Sequence, residues 1–239
     1  MVNLRKSRAV ALFVSAACVI LFAFIMLLTC IEISAFDIGF YSIEYEKLKR
    51  PEAIGISQKE LMGVTQALLA YIKGQRPDLN IKAVINGHER YVFNEREMAH
   101  MVDVRDLFIR GYILRNILIA MLVVLVFVLY VLTRKDMTRW LFKAYLFFLA
   151  FLAVVCGILV VLISQDFTSY WNYFHYIFFD NDLWLLDPET DILIQMVPEQ
   201  FFYDIVVRIV THFILGMLIT GLLLGSAFLL INRVKRGGG

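Results

Sequence analysis

The sequence predicts an all-α integral membrane protein of four transmembrane helices, with both termini cytoplasmic and a small, mainly helical extracytoplasmic cap. Three observations carry this. Of the 239 residues, 60% are hydrophobic and 14% aromatic, well above the share in a soluble domain. Four apolar runs occupy residues 9–31, 117–132, 145–163 and 213–231, each close to the ~20 residues that cross a hydrocarbon core of about 30 Å as helix. The charges are also sorted between the joining segments. The N-terminus (Arg5, Lys6, Arg8), the link (Arg134, Lys135, Arg139) and the C-terminus (Arg233, Lys235, Arg236) are basic, whereas residues 164–205 hold eight acids and no Lys or Arg. Because Lys and Arg are retained on the cytoplasmic side, the basic segments are expected inside and the acidic one outside.

In chain order, residues 1–8 are a cytoplasmic terminus and 9–31 the first span. That run is too long for a signal-peptide core and lacks a small-x-small cleavage site, so it is read as a retained helix. Residues 32–111 form the first outer segment, whose mixed charge does not prevent a loop of this length from translocating. Within it, Ser57 and Glu60 make a capping box, and Leu61, Val64, Leu68 and Ile72 repeat at helical spacing until Gly74 and Pro77. This stripe needs a partner, either the membrane surface or another outer helix. Residues 81–93 read as a short hairpin turning at Asn86-Gly87. Asn94 and Glu97 then cap a helix carrying Met98, Met101, Val102 and Leu107 towards the second span.

The second span is placed at residues 112–133, a cytoplasmic link at 134–139 and the third span at 140–164, with Lys143 snorkelling to the inner surface. Residues 165–204 are the aromatic and acidic outer segment, 205–232 the fourth span and 233–239 the cytoplasmic end. Gly237-Gly238-Gly239 is read as an appended tail. Cys18, Cys30 and Cys156 all fall in or at the end of apolar runs, so they supply no disulfide framework for the outer segments and are read as small buried residues.

Two of the four histidines have suggestive settings. A helix through residues 97–104 places Glu97 and His100 along one stripe with Asp103 beside it, and a carboxylate one turn from an imidazole can orient its tautomer. The plainer alternative is a solvated Glu–His–Asp face. His175 lies in a run of Trp, Tyr and Phe directly after a span, the composition of an interfacial aromatic belt. It is expected near the depth of lipid ester groups, or else simply hydrated there. His88, beside the turn, reads as exposed. His212 and Arg208 lie at the outer end of the fourth span, where polar residues are costly. Arg115 and Arg208 are candidates to pair with Asp103, Asp106 or Asp204, or to hold a substrate carbonyl.

No metal or organic cofactor is expected. Glu97-x-x-His100 resembles half of a two-metal bundle motif, but no second copy exists. Asp180-Asn181-Asp182 lacks the central glycine of a calcium loop, and no HExxH, GxSxG or phosphate-binding glycine loop appears. Nothing points to nucleic acid. A transporter is disfavoured because the middles of the spans lack charges and helix breaks. Two classes remain open at this point: a non-catalytic lipid-binding or assembly subunit, and a metal-dependent lipid hydrolase.

Residues 93–105 (FNEREMAHMVDVR), 174–179 (FHYIFF) and 184–204 together resemble the lipoprotein intramolecular transacylase family of low-GC Gram-positive bacteria. The resemblance extends over nearly the whole chain and includes the four-span layout. It implies a diacylated bacterial lipoprotein as substrate and membrane lipid as surroundings. The reaction it implies moves the sn-2 acyl chain from the diacylglyceryl group to the α-amine of the N-terminal cysteine, at the outer leaflet of the cell membrane. It also implies that His100 and His175 are the catalytic residues. On that reading His175 contacts the ester while His100, oriented by Glu97 or Asp103, deprotonates the amine, the reverse division or an acyl-histidine being alternatives. Tyr41, Arg115 and Arg208 are candidates for polarising the carbonyl, and Trp184 for binding substrate.

Overall fold

The computed structural model describes residues 2–237, and the side chains of residues 8–234 apart from Lys135. The side chains of Arg5, Lys6, Lys135, Lys235 and Arg236, and the residues Gly238 and Gly239, therefore lie outside the described part. Four long helices are apolar enough to cross a membrane: Arg8–Ala35, Glu95–Thr133, Met137–Gln165 and Glu199–Val234. The chain divides into two compact units. One comprises residues 1–31, 113–165 and 209–239, the other residues 32–112 and 166–208.

The first unit is built from α1 (Val2–Ala35), the later part of α5 (Glu95–Thr133), α6 (Met137–Gln165) and the later part of α9 (Glu199–Gly237). Val19, Ala23 and Cys30 of α1, Ala144 and Tyr145 of α6, and Phe213 and Met217 of α9 form its main buried cluster. Hydrocarbon offers helices no hydrophobic drive to associate, so close packing and interhelical hydrogen bonds must hold them. Both are present. The buried Tyr145 hydroxyl donates to the Met217 carbonyl at 2.6 Å, and Gly221 lets the α9 backbone approach so closely that a Cβ there would stand 3.1 Å from the Tyr145 ring. Val14 and Cys18 of α1 pack with Leu129 of α5 in a second cluster. Further apolar side chains such as Leu149 and Leu125 pack against these clusters, while others such as Phe147 and Val123 are exposed on the outside of the unit.

The second unit comprises α2 (Ile38–Lys47), α3 (Arg50–Ile54), α4 (Gln58–Ile72), β1 (Lys82–Ile85), β2 (His88–Tyr91), the first turns of α5, α7 (Phe167–Phe178), α8 (Ile192–Met196) and the start of α9. The Ser57 hydroxyl accepts from Glu60 N at 3.2 Å and caps α4. The expected stripe of Leu61, Val64, Leu68 and Ile72 is buried. Its partner is protein: α4 packs against α2 and β1, and the Tyr45 and Thr65 hydroxyls share a buried 2.8 Å hydrogen bond. The hairpin forms where the Asn-Gly pair predicted it, with Ile85 opposite His88 and the two turn residues at positive φ.

At α5 the structure differs in one respect from the element-by-element reading. The helix capped by Asn94 and the second apolar span are one uninterrupted helix of 39 residues. At 1.5 Å per residue only part of it can lie within about 30 Å of hydrocarbon. No proline lies between Glu95 and Thr133, and the single glycine there, Gly111, stays within the helix, so the backbone is not forced to stop.

Candidate active site

His100 sits on the second turn of α5, and the start of that helix is held from several sides. The Asn94 side-chain oxygen accepts from Glu97 N at 2.9 Å, and a Glu97 oxygen accepts from Asn94 N at 2.6 Å, a reciprocal capping box. The other Glu97 oxygen accepts from Leu193 N at 2.6 Å, at the first turn of α8. Asn94 also donates to Asp191 at 2.8 Å, whose second oxygen accepts from Asp187 N at 2.8 Å. Glu97 is only 1% exposed. Its carboxylate thus joins the start of α5 to the loop entering α8, and both oxygens serve backbone donors rather than the His100 ring.

His175 sits on the last turn of α7, which begins with the Asp166 side chain accepting from Ser169 N at 3.1 Å. Its Nδ1 lies 2.8 Å from the Trp171 carbonyl oxygen one turn back. A carbonyl only accepts, so Nδ1 carries the proton and neutral His175 keeps its lone pair on Nε2. Burial pushes the His175 pKa below its ordinary value, partly opposed by the hydrogen bond to Trp171.

The two imidazoles lie side by side, ring centroids 6.2 Å apart and inclined by 37°. Aromatic side chains close around them. Trp184 stacks on His175 at 4.5 Å, and Trp171 meets it edge-on at 4.6 Å. Phe179 lies 5.3 Å from His100 and 5.7 Å from His175. Both histidines are buried, 8% and 6% exposed, so a solvated histidine face does not describe the site. Among the described residues, His100 Nδ1 has no hydrogen-bond partner although it is buried. A polar nitrogen left so in an apolar wall is a feature to be explained by function.

The acidic loop supplies part of this wall. The Trp184 indole N–H donates to the Asn181 carbonyl at 2.9 Å, and the Asn181 side chain donates to Asp103 at 2.9 Å. Arg96 donates to the Asp182 carbonyl. Asp103 therefore anchors the loop that presents Trp184, and among the described residues no hydrogen bond runs from it to His100.

The other candidates are placed elsewhere in the contact network. The Tyr41 hydroxyl donates to the Ala35 carbonyl at 3.0 Å, and its ring packs with Phe40, Tyr45 and Phe201. The sequence leaves Arg208 open to pairing with Asp103, Asp106 or Asp204, or to holding a substrate carbonyl. It instead pairs with Asp37, the N-cap of α2, and lies over the Phe40 ring at 4.9 Å. Asp204 is taken by Lys47 at 2.7 Å. Arg115 and His212 belong to the other unit, and His88 is exposed on β2. Residues around the site that the sequence does not mark as site residues are Trp171, Phe179, Asn181 and Asp191, whereas Asn94 is legible there as the helix cap. The i, i+4, i+8 spacing of Trp171, His175 and Phe179 was a usable signal for two of them, whereas the loop residues carried none.

A family model for the lipoprotein intramolecular transacylase Lit matches residues 16–202. The fold is similar to that of the membrane integral lipoprotein intramolecular transacylase Lit from Bacillus cereus, at 20% identity and TM-score 0.71 over 97% of this chain and 98% of that chain. Structures of that protein bearing a histidine-to-alanine or a histidine-to-arginine substitution match with TM-scores of 0.69 and 0.66, at 19% and 20% identity, covering 98% and 99% of this chain and 99% and 96% of those. No curated protein matches the chain.

Proposed function

Because the chain belongs to the lipoprotein intramolecular transacylase family, we propose that it transfers the sn-2 acyl chain of a diacylglyceryl lipoprotein to the α-amine of that lipoprotein's N-terminal cysteine. The product is an N-acyl, S-monoacylglyceryl (lyso) lipoprotein, made at the outer leaflet of a bacterial membrane. His100 and His175 carry the reaction. The observation that supports this most directly is the burial of the two imidazoles side by side within an aromatic wall.

The amine nitrogen attacks the sn-2 ester carbonyl, a C–N bond forms, and the tetrahedral carbon then expels the glycerol oxygen. An α-amine with a pKa of about 7.7–8.0 reaches the site partly as free base, and its N–H becomes acidic once it has added to the carbonyl. His175 Nε2 accepts that proton and returns it to the departing sn-2 oxygen, so donor and acceptor end as hydroxyl and amide with no co-reactant. The Trp171 carbonyl on Nδ1 suits His175 to this shuttle, because it fixes the tautomer and stabilises the transient imidazolium. His100 then donates an N–H to the developing oxyanion. Local bonding thus favours the reverse of the division expected from the sequence. Ester and amine belong to one molecule, so orientation contributes strongly to rate. The wall of Trp171, Phe179 and Trp184 keeps water from competing for the ester.

The test is mass spectrometry of a lipoprotein N-terminal peptide from a host lacking its own N-acylating enzyme and expressing this chain. The expected result is one acyl group moved to the α-amine at unchanged total mass, and lost in His100→Ala and His175→Ala variants present at wild-type level in the membrane. Full transfer by either variant would overturn the assignment of that histidine.

A further inference from the structure

Where the chain turns from α5 into α6, the helical unit gathers charge at one end. A cavity of about 390 Å³ is lined there by Arg8 of α1, Thr133 of α5, Asp136 in the turn, and Arg139, Trp140 and Lys143 of α6. Three cations face one carboxylate. Arg139 and Lys143 are four residues apart and share a helix face, where like charges repel. None of the ion pairs among the described residues draws on Arg8, Arg139 or Lys143. Three cations around a single carboxylate, none of them in an ion pair among the described residues, leave an excess of positive charge suited to an anionic ligand, and the arginine fork matches phosphate oxygens in pairs.

The position of the cavity says which anion. Arg8 opens the apolar stretch of α1, Thr133 closes that of α5, and α6 begins at Met137. The cavity therefore lies at the polar edge of the spans, where an indole such as Trp140 is also at home. Leu132 and Ala11 line it too, and Leu132 is 44% exposed, an apolar surface beside the charged rim. A soluble phosphate would use the cations and leave that surface bare. We infer that the cavity binds an anionic glycerophospholipid, with Arg8, Arg139 and Lys143 holding the headgroup phosphate and an acyl chain lying along Leu132. This site stands apart from the transacylation reading and uses none of its residues.

The test is native mass spectrometry of the full chain in neutral detergent, titrated with phosphatidylglycerol, with phosphatidylcholine of the same acyl chains, and with inorganic phosphate. Phosphatidylglycerol is expected to form a one-to-one adduct in preference to phosphatidylcholine. Each of Arg8→Gln, Arg139→Gln and Lys143→Gln should weaken it ~5-fold, and the triple variant on the order of 100-fold, from about 1 kcal/mol per cation near an anionic lipid. Lys59→Gln, on the exposed side of α4, should bind as wild type. Undiminished binding by a folded triple variant, or equal binding of phosphatidylcholine, would overturn the inference. Complete displacement by millimolar inorganic phosphate would make the site one for soluble anions and overturn the lipid assignment. If the triple variant does not fold, three single variants that all retain full affinity would overturn it equally.

Discussion

Glu97 offers the sharpest test of how this site is built. Each carboxylate oxygen accepts one backbone N–H, from Asn94 and Leu193, both at 2.6 Å, and the side chain is 1% exposed. Glu97→Ala would leave both N–H groups buried without a partner. At ~1–3 kcal/mol for each unsatisfied donor, the loss is ~2–6 kcal/mol before any cavity is counted. Glu97→Gln keeps one acceptor and turns an amide donor towards the other N–H, so ~2 kcal/mol is expected. For a chain of this length that corresponds to a Tm lower by ~4–8 °C. The assay is thermal unfolding of purified protein in detergent, paired with initial rates of lyso-lipoprotein formation against pH, well below the lowered Tm. A clamp predicts a large fall in Tm and an unshifted pH profile in the surviving folded enzyme. A Tm within 1 °C of wild type, or a Glu97→Gln pH profile displaced from wild type at unchanged Tm, would refute the clamp and restore Glu97 as an electrostatic partner of His100.

Three further outcomes follow from the same contacts. Burial holds the His175 pKa below its ordinary value, so Nε2 is free at neutral pH, and transacylation rates should fall as the pH drops through that depressed pKa. An unfolded histidine titrates nearer 6.5 and binds the proton first on acidification, so thermal stability should decline over the same range; a rate that rises on acidification would contradict the base role. Trp184→Ala removes the indole stacked on His175 at 4.5 Å, worth ~0.5–1.5 kcal/mol beyond its area. It should also admit water, visible by mass spectrometry as a deacylated peptide with a free amine, and its absence at reduced rate would assign Trp184 to positioning alone. Tyr41→Phe loses only the 3.0 Å bond to the Ala35 carbonyl, so stability should drop by ~1 kcal/mol with activity near wild type; a rate loss of ~100-fold, about 2.7 kcal/mol of transition-state stabilisation, would show that the hydroxyl meets substrate.

Much of this arrangement is written locally in the chain. The four spans follow from uninterrupted apolar runs, the hairpin from Asn86-Gly87, and the helix starts at Ser57 and Asn94 from capping residues three positions before a glutamate. Each signal acts within a turn or two of helix or strand, so the sequence alone determines it. The pairing of His100 with His175 was legible only through resemblance to a family, since nothing in local spacing brings residues 75 apart together. Tertiary structure decided the rest. The sequence offers Glu97 both as the capping partner of Asn94 and as the neighbour of the histidine one turn away; a carboxylate beside unsatisfied N–H groups at a helix start is drawn to them, and the second donor comes from Leu193, 96 residues on. Arg208 finds Asp37 across 171 residues, ahead of three acids that looked equally available in the sequence. The sequence determined which segments are helical, apolar or acidic. Which buried charge meets which donor, and which aromatic ring covers which imidazole, was left to the packing of distant segments, because a desolvated polar group takes whatever partner the folded chain brings within about 3 Å.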